Sequence, residues 1–203
     1  MTEHRIIAVG PLGTNCHLVW NPDTATGAVI DPGADAAEIL AEIGKCAFTP
    51  AAVLLTHAHV DHIGAVPEIA AHFHIPVWLH AGDHPLYNSP DNCLLPWLPR
   101  VENLPPVTAD MPEIPGLDFT VLHTPGHTPG GVSFHFAADG FLLSGDTLFA
   151  GSVGRTDFPG GSAPTLMNSI RQQLFTLPGK TVVYPGHGEC TTISIEKLSP
   201  FFD

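Results

Sequence analysis

Short runs of apolar and β-branched residues recur along the chain and alternate with segments of helical periodicity. Several runs are apolar at consecutive positions, as is typical of strands that are covered on both faces. Nine runs are predicted as strands: 5–9, 17–20, 28–30, 53–55, 77–79, 119–122, 132–136, 141–143 and 182–184.

Three segments between these runs are predicted as helices. Asp35 is expected to cap the first helix, which ends at Gly44, and Pro67 suits the first turn of a second helix that ends near Phe73. Ser162 is expected to begin the third. The apolar positions that indicate the first and third helices are Ile39, Leu40 and Ile43, and Leu166, Ile170, Leu174 and Leu177. Because strands and helices interleave, the pattern predicts an α/β layered fold with sheet inside and helices outside.

The segment 86–116 breaks this pattern, since it has seven prolines and little periodicity. Long segments of this kind are usually functional or loosely held. Tyr87, Trp97 and Leu98 could cover a bound substrate. Two interpretations remain open: a substrate-facing lid, or an excursion packed on the surface.

Composition limits the classes of function. A chain of 203 residues with 44% apolar and 13% charged residues is expected to form a single globular domain over 1–203. Its formal net charge of −13 disfavours nucleic acid and anionic membranes as partners. We expect a cytoplasmic protein, because the sequence shows no secretory signal, no membrane-length apolar run and no C-x-x-C pair.

One dense cluster of metal-ligating residue types follows the apolar run 53–55. The sequence T-H-A-H-V-D-H contains His57, His59, Asp61 and His62. His57 and His59 can converge on one side of a loop, while Asp61 and His62 can turn towards a second ion. Imidazole and carboxylate ligands suit zinc, iron or manganese, so the pattern predicts a metal site without fixing the metal.

Three further candidates repeat the arrangement of a ligand after an apolar run. His127, Asp146 and His187 follow the runs 119–122, 141–143 and 182–184, and each comes directly after a glycine. Glycine makes tight turns and close backbone approach inexpensive. We therefore expect several strand ends to deliver ligands to one edge of the sheet, in preference to a scatter of unrelated surface histidines.

Together, T-H-A-H-V-D-H, P-G-H-T, S-G-D-T-L-F and Y-P-G-H-G resemble the motifs of the metallo-β-lactamase superfamily over nearly the whole chain. The resemblance implies a four-layer αββα sandwich with two divalent metal ions, zinc first, with iron or manganese as alternatives. It implies that one ion is held by His57, His59, His127 and Asp146, and the other by Asp61, His62, His187 and Asp146. Asp146 would bridge the ions, and Asp61 would also orient the attacking hydroxide.

Within that superfamily, the run 151–161, G-S-V-G-R-T-D-F-P-G-G, resembles short glyoxalase-II-like hydroxyacylglutathione hydrolases. The implied reaction is hydrolysis of a thioester such as S-lactoylglutathione by a metal-bridging hydroxide, on a small-molecule substrate and with no partner protein. The C-terminal helical domain that binds glutathione in longer members is not expected here. Arg155 could bind a substrate carboxylate, or could instead form a structural salt bridge with Asp157.

Alternative functions remain open. The run G-R-T-D-F also resembles persulfide dioxygenases, in which a single iron would be held by His57, His127 and Asp146. A lactone or ester hydrolase of the same fold is a further possibility, and a non-catalytic metal-binding protein is another. A secreted β-lactamase and a nuclease are disfavoured, the latter because the chain has only seven basic residues.

Overall fold

The computed structural model describes residues 1–199 and 202. The chain divides into two compact units, Met1–Leu117 and Asp118–Asp203, and each unit is built on its own sheet. The expectation of a single domain over 1–203 stays a prediction.

The first unit contains a six-stranded sheet in which the strands follow chain order. The strands are β1 (Glu3–Val9), β2 (Thr14–Asn21), β3 (Thr26–Ile30), β4 (Thr49–Leu54), β5 (Val77–Trp78) and β6 (Val107–Thr108). The pairs from β1 to β3 are antiparallel and those from β3 to β6 are parallel. Parallel neighbours need crossover connections. Helix α1 (Ala36–Cys46) supplies one of them, and α3 (Val66–Phe73), which follows the short helix α2 (Val60–Ile63), supplies another.

Apolar side chains of this sheet and its helices form one core. Ile39 and Ile43 are the buried face of α1, and Val66 and Ile69 belong to the buried face of α3. They pack in one cluster with sheet residues that include Val53. Both helices have apolar residues three or four positions apart, and residues at this spacing lie on one face of a helix.

The second unit contains a five-stranded sheet in the order β13-β12-β9-β8-β7. Its strands are β7 (Thr120–His123), β8 (Val132–Phe136), β9 (Phe141–Gly145), β12 (Val182–Pro185) and β13 (Thr191–Thr192), and β10 (Leu148–Phe149) pairs with β11 (Ser152–Val153) as a separate hairpin. The parallel pair β9 and β12 is connected through α5 (Ala163–Ser169) and a π-helical turn, Ile170–Leu174. Helix α6 (Ile193–Lys197) follows β13.

The core of the second unit joins its helix to its sheet. Leu166, Ile170 and Leu174 are buried and pack in one cluster with Leu142 and Val183. Ser162 caps α5 as predicted, because its Oγ accepts a hydrogen bond from the Thr165 N–H. The predicted helix is too long by a few residues: the regular part ends at Leu174, so Leu177 lies beyond it.

Two predictions about the first helix are wrong. Asp35 occupies the position before α1, but its side chain makes no cap hydrogen bond there and instead accepts a bond of 2.8 Å from the Gly10 N–H. The helix also continues past Gly44 to Cys46, and it ends at Ala47, whose backbone has a left-handed conformation. A glycine inside a helix costs only about 1 kcal/mol relative to alanine, so the packing of Ile43 outweighs the stop signal.

The proline-rich segment, residues 86–116, has more structure than its pattern predicts. It begins in the short helix α4 (His84–Tyr87) and contains β6, the edge strand of the first sheet. The buried Tyr87 hydroxyl donates a hydrogen bond of 3.0 Å to the carbonyl oxygen of Pro105, which joins the two ends of the intervening loop. Whether the segment covers a substrate stays a prediction.

No helix among residues 1–199 and 202 is both long and apolar enough to cross a bilayer.

Candidate metal centre

In the first unit, the candidate ligands gather at the carboxyl end of β4. His57 and His59 lie on the histidine loop, which is residues 55–59, and Asp61 and His62 lie on the short helix α2 (Val60–Ile63) that follows it. The ring centroid of His57 is 4.9 Å from that of His59 and 4.1 Å from that of His62. Three imidazoles thus converge in a space a few ångströms across. The helix under Asp61 and His62 was not predicted.

A buried carboxylate that the sequence reasoning missed organises this group. Asp31 accepts hydrogen bonds from the Thr56 N–H at 2.8 Å and the Thr56 hydroxyl at 2.6 Å, and its Oδ2 lies 3.0 Å from Nδ1 of His62. The Thr56 hydroxyl in turn lies 3.0 Å from Nδ1 of His57. Contacts at Nδ1 leave Nε2 of each ring available to a metal ion and fix the ring orientation. Asp31 ends an apolar strand and precedes Pro-Gly, a signal similar to that of the other candidates.

Asp61 is held between two parts of the first unit. Its Oδ2 accepts a hydrogen bond of 3.2 Å from the hydroxyl of Thr14 and lies 3.6 Å from Nε2 of His62. A β-carbon at Gly33 would lie 1.9 Å from the Asp61 carbonyl oxygen. Only glycine permits this approach, which brings the Asp31 loop against α2.

The second unit brings together the three remaining candidates, which we call the Asp146 cluster: His127, Asp146 and His187. Nε2 of His127 lies 3.5 Å from Oδ2 of Asp146, and Nε2 of His187 lies 3.7 Å from the same oxygen. The three residues follow β7, β9 and β12, as the spacing predicts. Oδ2 of Asp146 therefore faces both imidazoles, which suits a carboxylate ligand at a metal site to which both histidines contribute.

His127 is fixed by backbone on two sides. Its Nδ1 donates to the carbonyl oxygen of Arg155 at 2.7 Å, which leaves Nε2 available to a metal ion. A β-carbon at Gly154 would lie 1.9 Å from the Asp146 carbonyl oxygen and 3.0 Å from Nδ1 of His127. Gly126 has a φ of +132°, and a β-carbon there would lie 2.2 Å from the backbone nitrogen of Leu166.

The Arg155 side chain forms the salt bridge that was one of the two sequence interpretations. Its Nε and one terminal nitrogen bind the two carboxylate oxygens of Asp157 at 2.8 and 2.7 Å, and its guanidinium carbon lies 3.7 Å from the centroid of the Phe158 ring. The hydrogen bond from Arg155 lowers the pKa of Asp157 to about 2. Both side chains are more than half exposed. Binding of a substrate carboxylate by Arg155 stays a prediction.

Histidines outside the motifs have other contacts. Nε2 of His4 lies 3.0 Å from Nδ1 of His17, and burial lowers the pKa of His4 to about 4. His80 accepts a hydrogen bond from the Gly82 N–H, and Nε2 of His84 lies 3.2 Å from the carbonyl oxygen of Leu79. All four histidines thus have hydrogen-bonding partners within the first unit.

The donor atoms in both units fit a divalent metal ion. Imidazole nitrogens and carboxylate oxygens are the ligands that zinc, iron and manganese take in proteins. Oδ2 of Asp61 lies 3.6 Å from Nε2 of His62 in the first unit, and Oδ2 of Asp146 lies 3.5 and 3.7 Å from Nε2 of His127 and His187 in the second. The contacts at Nδ1 of His57, His62 and His127 provide the outer hydrogen bonds that metal-binding histidines usually have.

Comparison with known proteins gives a family and several close relatives. The family model described as the metallo-beta-lactamase superfamily matches residues 9–187. The chain is 36% identical to hydroxyacylglutathione hydrolase GloC of Haemophilus influenzae, over 98% of this chain and 97% of that protein. It is 41% identical to a probable metallo-hydrolase of Streptococcus pyogenes serotype M6, over 94% and 86%.

Three solved structures share the fold over almost the whole chain. The BLEG-1 B3 metallo-beta-lactamase is 37% identical with a TM-score of 0.85, covering 98% of this chain and 99% of that one. TTHA1623 in a di-iron-bound form is 39% identical with a TM-score of 0.85, covering 97% and 99%. ETHE1 from Myxococcus xanthus is 29% identical with a TM-score of 0.76, covering 97% and 82%.

Proposed function

Because the chain belongs to the metallo-β-lactamase superfamily, we propose that it is a dinuclear hydrolase that cleaves a thioester such as S-lactoylglutathione. The family, predicted from the motifs, and the layered α/β fold, predicted from the interleaved strands and helices, are confirmed by the family match and by the solved structures. The coarser function, that of a metallo-hydrolase, follows from the relatives in H. influenzae and S. pyogenes.

One observation carries the choice of a thioester. The match to the hydroxyacylglutathione hydrolase of H. influenzae runs over 98% of this chain and 97% of that protein. Its similarity is therefore not limited to the metal motifs, which many hydrolases share, but includes the segments that surround them. The run 151–161, which first indicated this subgroup, lies within the matched part.

We propose that both ligand groups serve the same pair of ions. His57, His59 and His127 would hold the first ion, Asp61, His62 and His187 the second, and Asp146 both. Zinc is the proposed metal, with iron or manganese as alternatives, and the di-iron form of TTHA1623 favours testing iron directly. When bound, such ions lower the pKa of water towards neutrality and polarise a carbonyl.

The protein's own groups orient this chemistry. Asp31 and the Arg155 carbonyl hold the imidazoles of His62 and His127 by their Nδ1 atoms, so that each Nε2 keeps one direction. Asp61, held by the Thr14 hydroxyl, presents a carboxylate oxygen that can accept a hydrogen bond from the attacking water. Such preorganisation reduces the rearrangement needed when charge develops on the substrate oxygen.

The test combines elemental analysis with a substrate panel on the same purified protein. We expect about two zinc, iron or manganese ions per chain and metal-dependent hydrolysis of S-lactoylglutathione. The panel adds a neutral ester, a lactone and a β-lactam. Hydrolysis of the ester, the lactone or the β-lactam in place of the thioester would reject the proposed substrate while keeping the metallo-hydrolase, and binding without any turnover would reject the enzyme.

A second candidate is a mono-iron persulfide dioxygenase, and the likeness to ETHE1 from M. xanthus fits it. His57, His127 and Asp146 would be the iron ligands in that case. About one iron per chain, with oxygen consumption on glutathione persulfide and no thioester hydrolysis, would favour this function over the hydrolase.

A further inference from the structure

Two buried polar side chains that belong to none of the metal motifs form hydrogen bonds with the backbone between His57 and His59. The Asp83 carboxylate accepts a hydrogen bond of 3.0 Å from the Ala58 N–H, and the Asn92 amide donates one of 2.7 Å to the Ala58 carbonyl oxygen. Asp83 and Ala58 are fully buried and Asn92 is 6% exposed. Both backbone groups of one residue in the histidine loop therefore have side-chain partners.

The topology explains why these partners reach the loop. Strands β4 and β5 are parallel neighbours, so their carboxyl ends lie side by side. The histidine loop leaves β4, while Asp83 closes the 3₁₀ turn Ala81–Asp83 soon after β5. Asn92 lies further along, inside the proline-rich segment, where its N–H donates to the carbonyl oxygen of Ser89.

We propose that Asp83 and Asn92 are positioning residues that set the angle between the His57 and His59 side chains. The Ala58 N–H belongs to the peptide plane shared with His57, and the Ala58 carbonyl belongs to the plane shared with His59. Each peptide unit is planar, so restraining the two planes that meet at Ala58 restrains its φ and ψ. Those two angles determine how the neighbouring side chains point relative to each other.

Sequence patterns give no sign of this arrangement. Asn92 stands among prolines and loop residues, and its carbonyl partner becomes visible only in the folded chain. The proline-rich segment thereby gains a structural role, because Asn92 connects that segment to the histidine loop by a hydrogen bond. The inference rests on the proposed metal site and extends it to residues that do not touch the metal.

The experiment compares Asn92→Asp with Asn88→Asp in the full chain. Asn92→Asp keeps the shape of the side chain but replaces the donating amide by an oxygen that repels the Ala58 carbonyl. Asn88 is a matched control, since its amide also donates to a backbone carbonyl, that of His84 at 2.8 Å, but on an exposed surface of the same part of the chain. Cobalt(II) affinity and the cobalt absorption spectrum are measured on metal-free protein without substrate.

Asn92→Asp is expected to weaken cobalt binding about tenfold or more, the range found when groups that orient metal ligands are removed. Its spectrum should shift, and in hydrolysis kcat should fall with KM little changed. Asn88→Asp should match the wild type in all three. Asp83→Asn keeps an acceptor oxygen, so it should fall between Asn92→Asp and the wild type.

Failure of this inference differs from failure of the proposed function. If the wild type binds no cobalt, the metal site itself is wrong. If the wild type binds cobalt and Asn92→Asp has the same affinity and spectrum, the positioning role is overturned. Circular dichroism of the metal-free variants checks folding, and if Asn92→Asp does not fold, the same comparison is made on Asp83→Asn, where unchanged cobalt binding also overturns the role.

Discussion

His127 is oriented by Arg155 through the backbone and not through the arginine side chain. The distance from Nδ1 of His127 to the Arg155 carbonyl oxygen is 2.7 Å, while the guanidinium turns to Asp157. Arg155, which was selected from the sequence for its charge, thus contacts the Asp146 cluster through its backbone carbonyl oxygen, an atom that every amino acid has. Gly154, the neighbouring residue, also helps to hold His127 in place, because it has no side chain and allows the Asp146 backbone to approach.

Gly154→Ala should disrupt this support. A β-carbon 1.9 Å from the Asp146 carbonyl and 3.0 Å from Nδ1 of His127 must displace backbone. We expect a loss of about 1–3 kcal/mol in the free energy of unfolding, as for other overpacked sites, together with a loss of metal and of hydrolysis. Urea denaturation and elemental analysis measure both effects.

Gly44→Ala is the control for that substitution. Gly44 lies inside α1, and a β-carbon there would have nothing within 4 Å. Alanine should stabilise the helix by about 0.5–1 kcal/mol and leave metal content unchanged. Equal behaviour of the two variants would contradict the role given to Gly154.

Asp31→Asn should weaken both folding and metal binding. The buried carboxylate accepts from Thr56 and contacts Nδ1 of His62, and an amide nitrogen in place of one oxygen would face donors. Hydrogen bonds to charged groups contribute about 1.5–3 kcal/mol, which sets the expected loss in unfolding free energy. Metal affinity should fall about 10- to 100-fold.

The exposed Asp110→Asn serves as the reference for Asp31→Asn, since it changes the same charge away from the ligands. Chelator competition and urea denaturation are run on both variants. Normal metal affinity in folded Asp31→Asn would refute the orienting role of Asp31.

Arg155→Ala separates the two interpretations of that side chain. If the guanidinium also binds a substrate carboxylate, the variant should raise KM for anionic S-lactoylglutathione several-fold more than for a neutral ester. Asp157→Asn should then lower the same KM, because it releases the guanidinium from its bidentate partner. Arg5→Ala, which removes an exposed arginine paired with Glu42, controls for overall charge.

An equal change of KM for both substrates in Arg155→Ala would leave only the structural role. An independent measurement follows the carboxyl group of Asp157 by NMR. Its pKa of about 2 should rise towards 3.8 in Arg155→Ala, because the hydrogen bond that lowers it is lost.

Stability should decline in mild acid through His4. Burial lowers the pKa of His4 from 6.5 to about 4, so the unfolded chain binds a proton at this residue more readily than the folded protein. The protonation of His4 leaves the free energy of unfolding unchanged above pH 6.5. It lowers that free energy by at most about 3 kcal/mol as the pH falls towards 4.

His4→Gln should flatten this part of the pH profile, while the exposed His72→Gln should not. The free energy of unfolding is compared for the three proteins between pH 7 and 4, which removes the contribution of carboxylates common to all. Parallel profiles of His4→Gln and the wild type would show that His4 does not drive the decline.

Local patterns in the sequence determined most of the fold and the identity of the candidate ligands. Strands such as β8 and β9, the apolar face of α1 and the cap at Ser162 follow from runs of apolar residues, helical spacing and local hydrogen bonding. The glycines before His127 and Asp146 indicated turns, and both have positive φ in the structure. Such features depend on neighbours in sequence, so a single chain reveals them.

Only the tertiary structure decided which groups orient those ligands. Asp31, Asp83 and Asn92 lie between 25 and 34 positions from the residues they hold, and no sequence spacing encodes a contact between separate strands. The extension of α1 past Gly44 and the order within the proline-rich segment were likewise settled by packing. Burial gives these distant contacts their strength, because an unpaired polar group in the interior costs more than local propensity can supply.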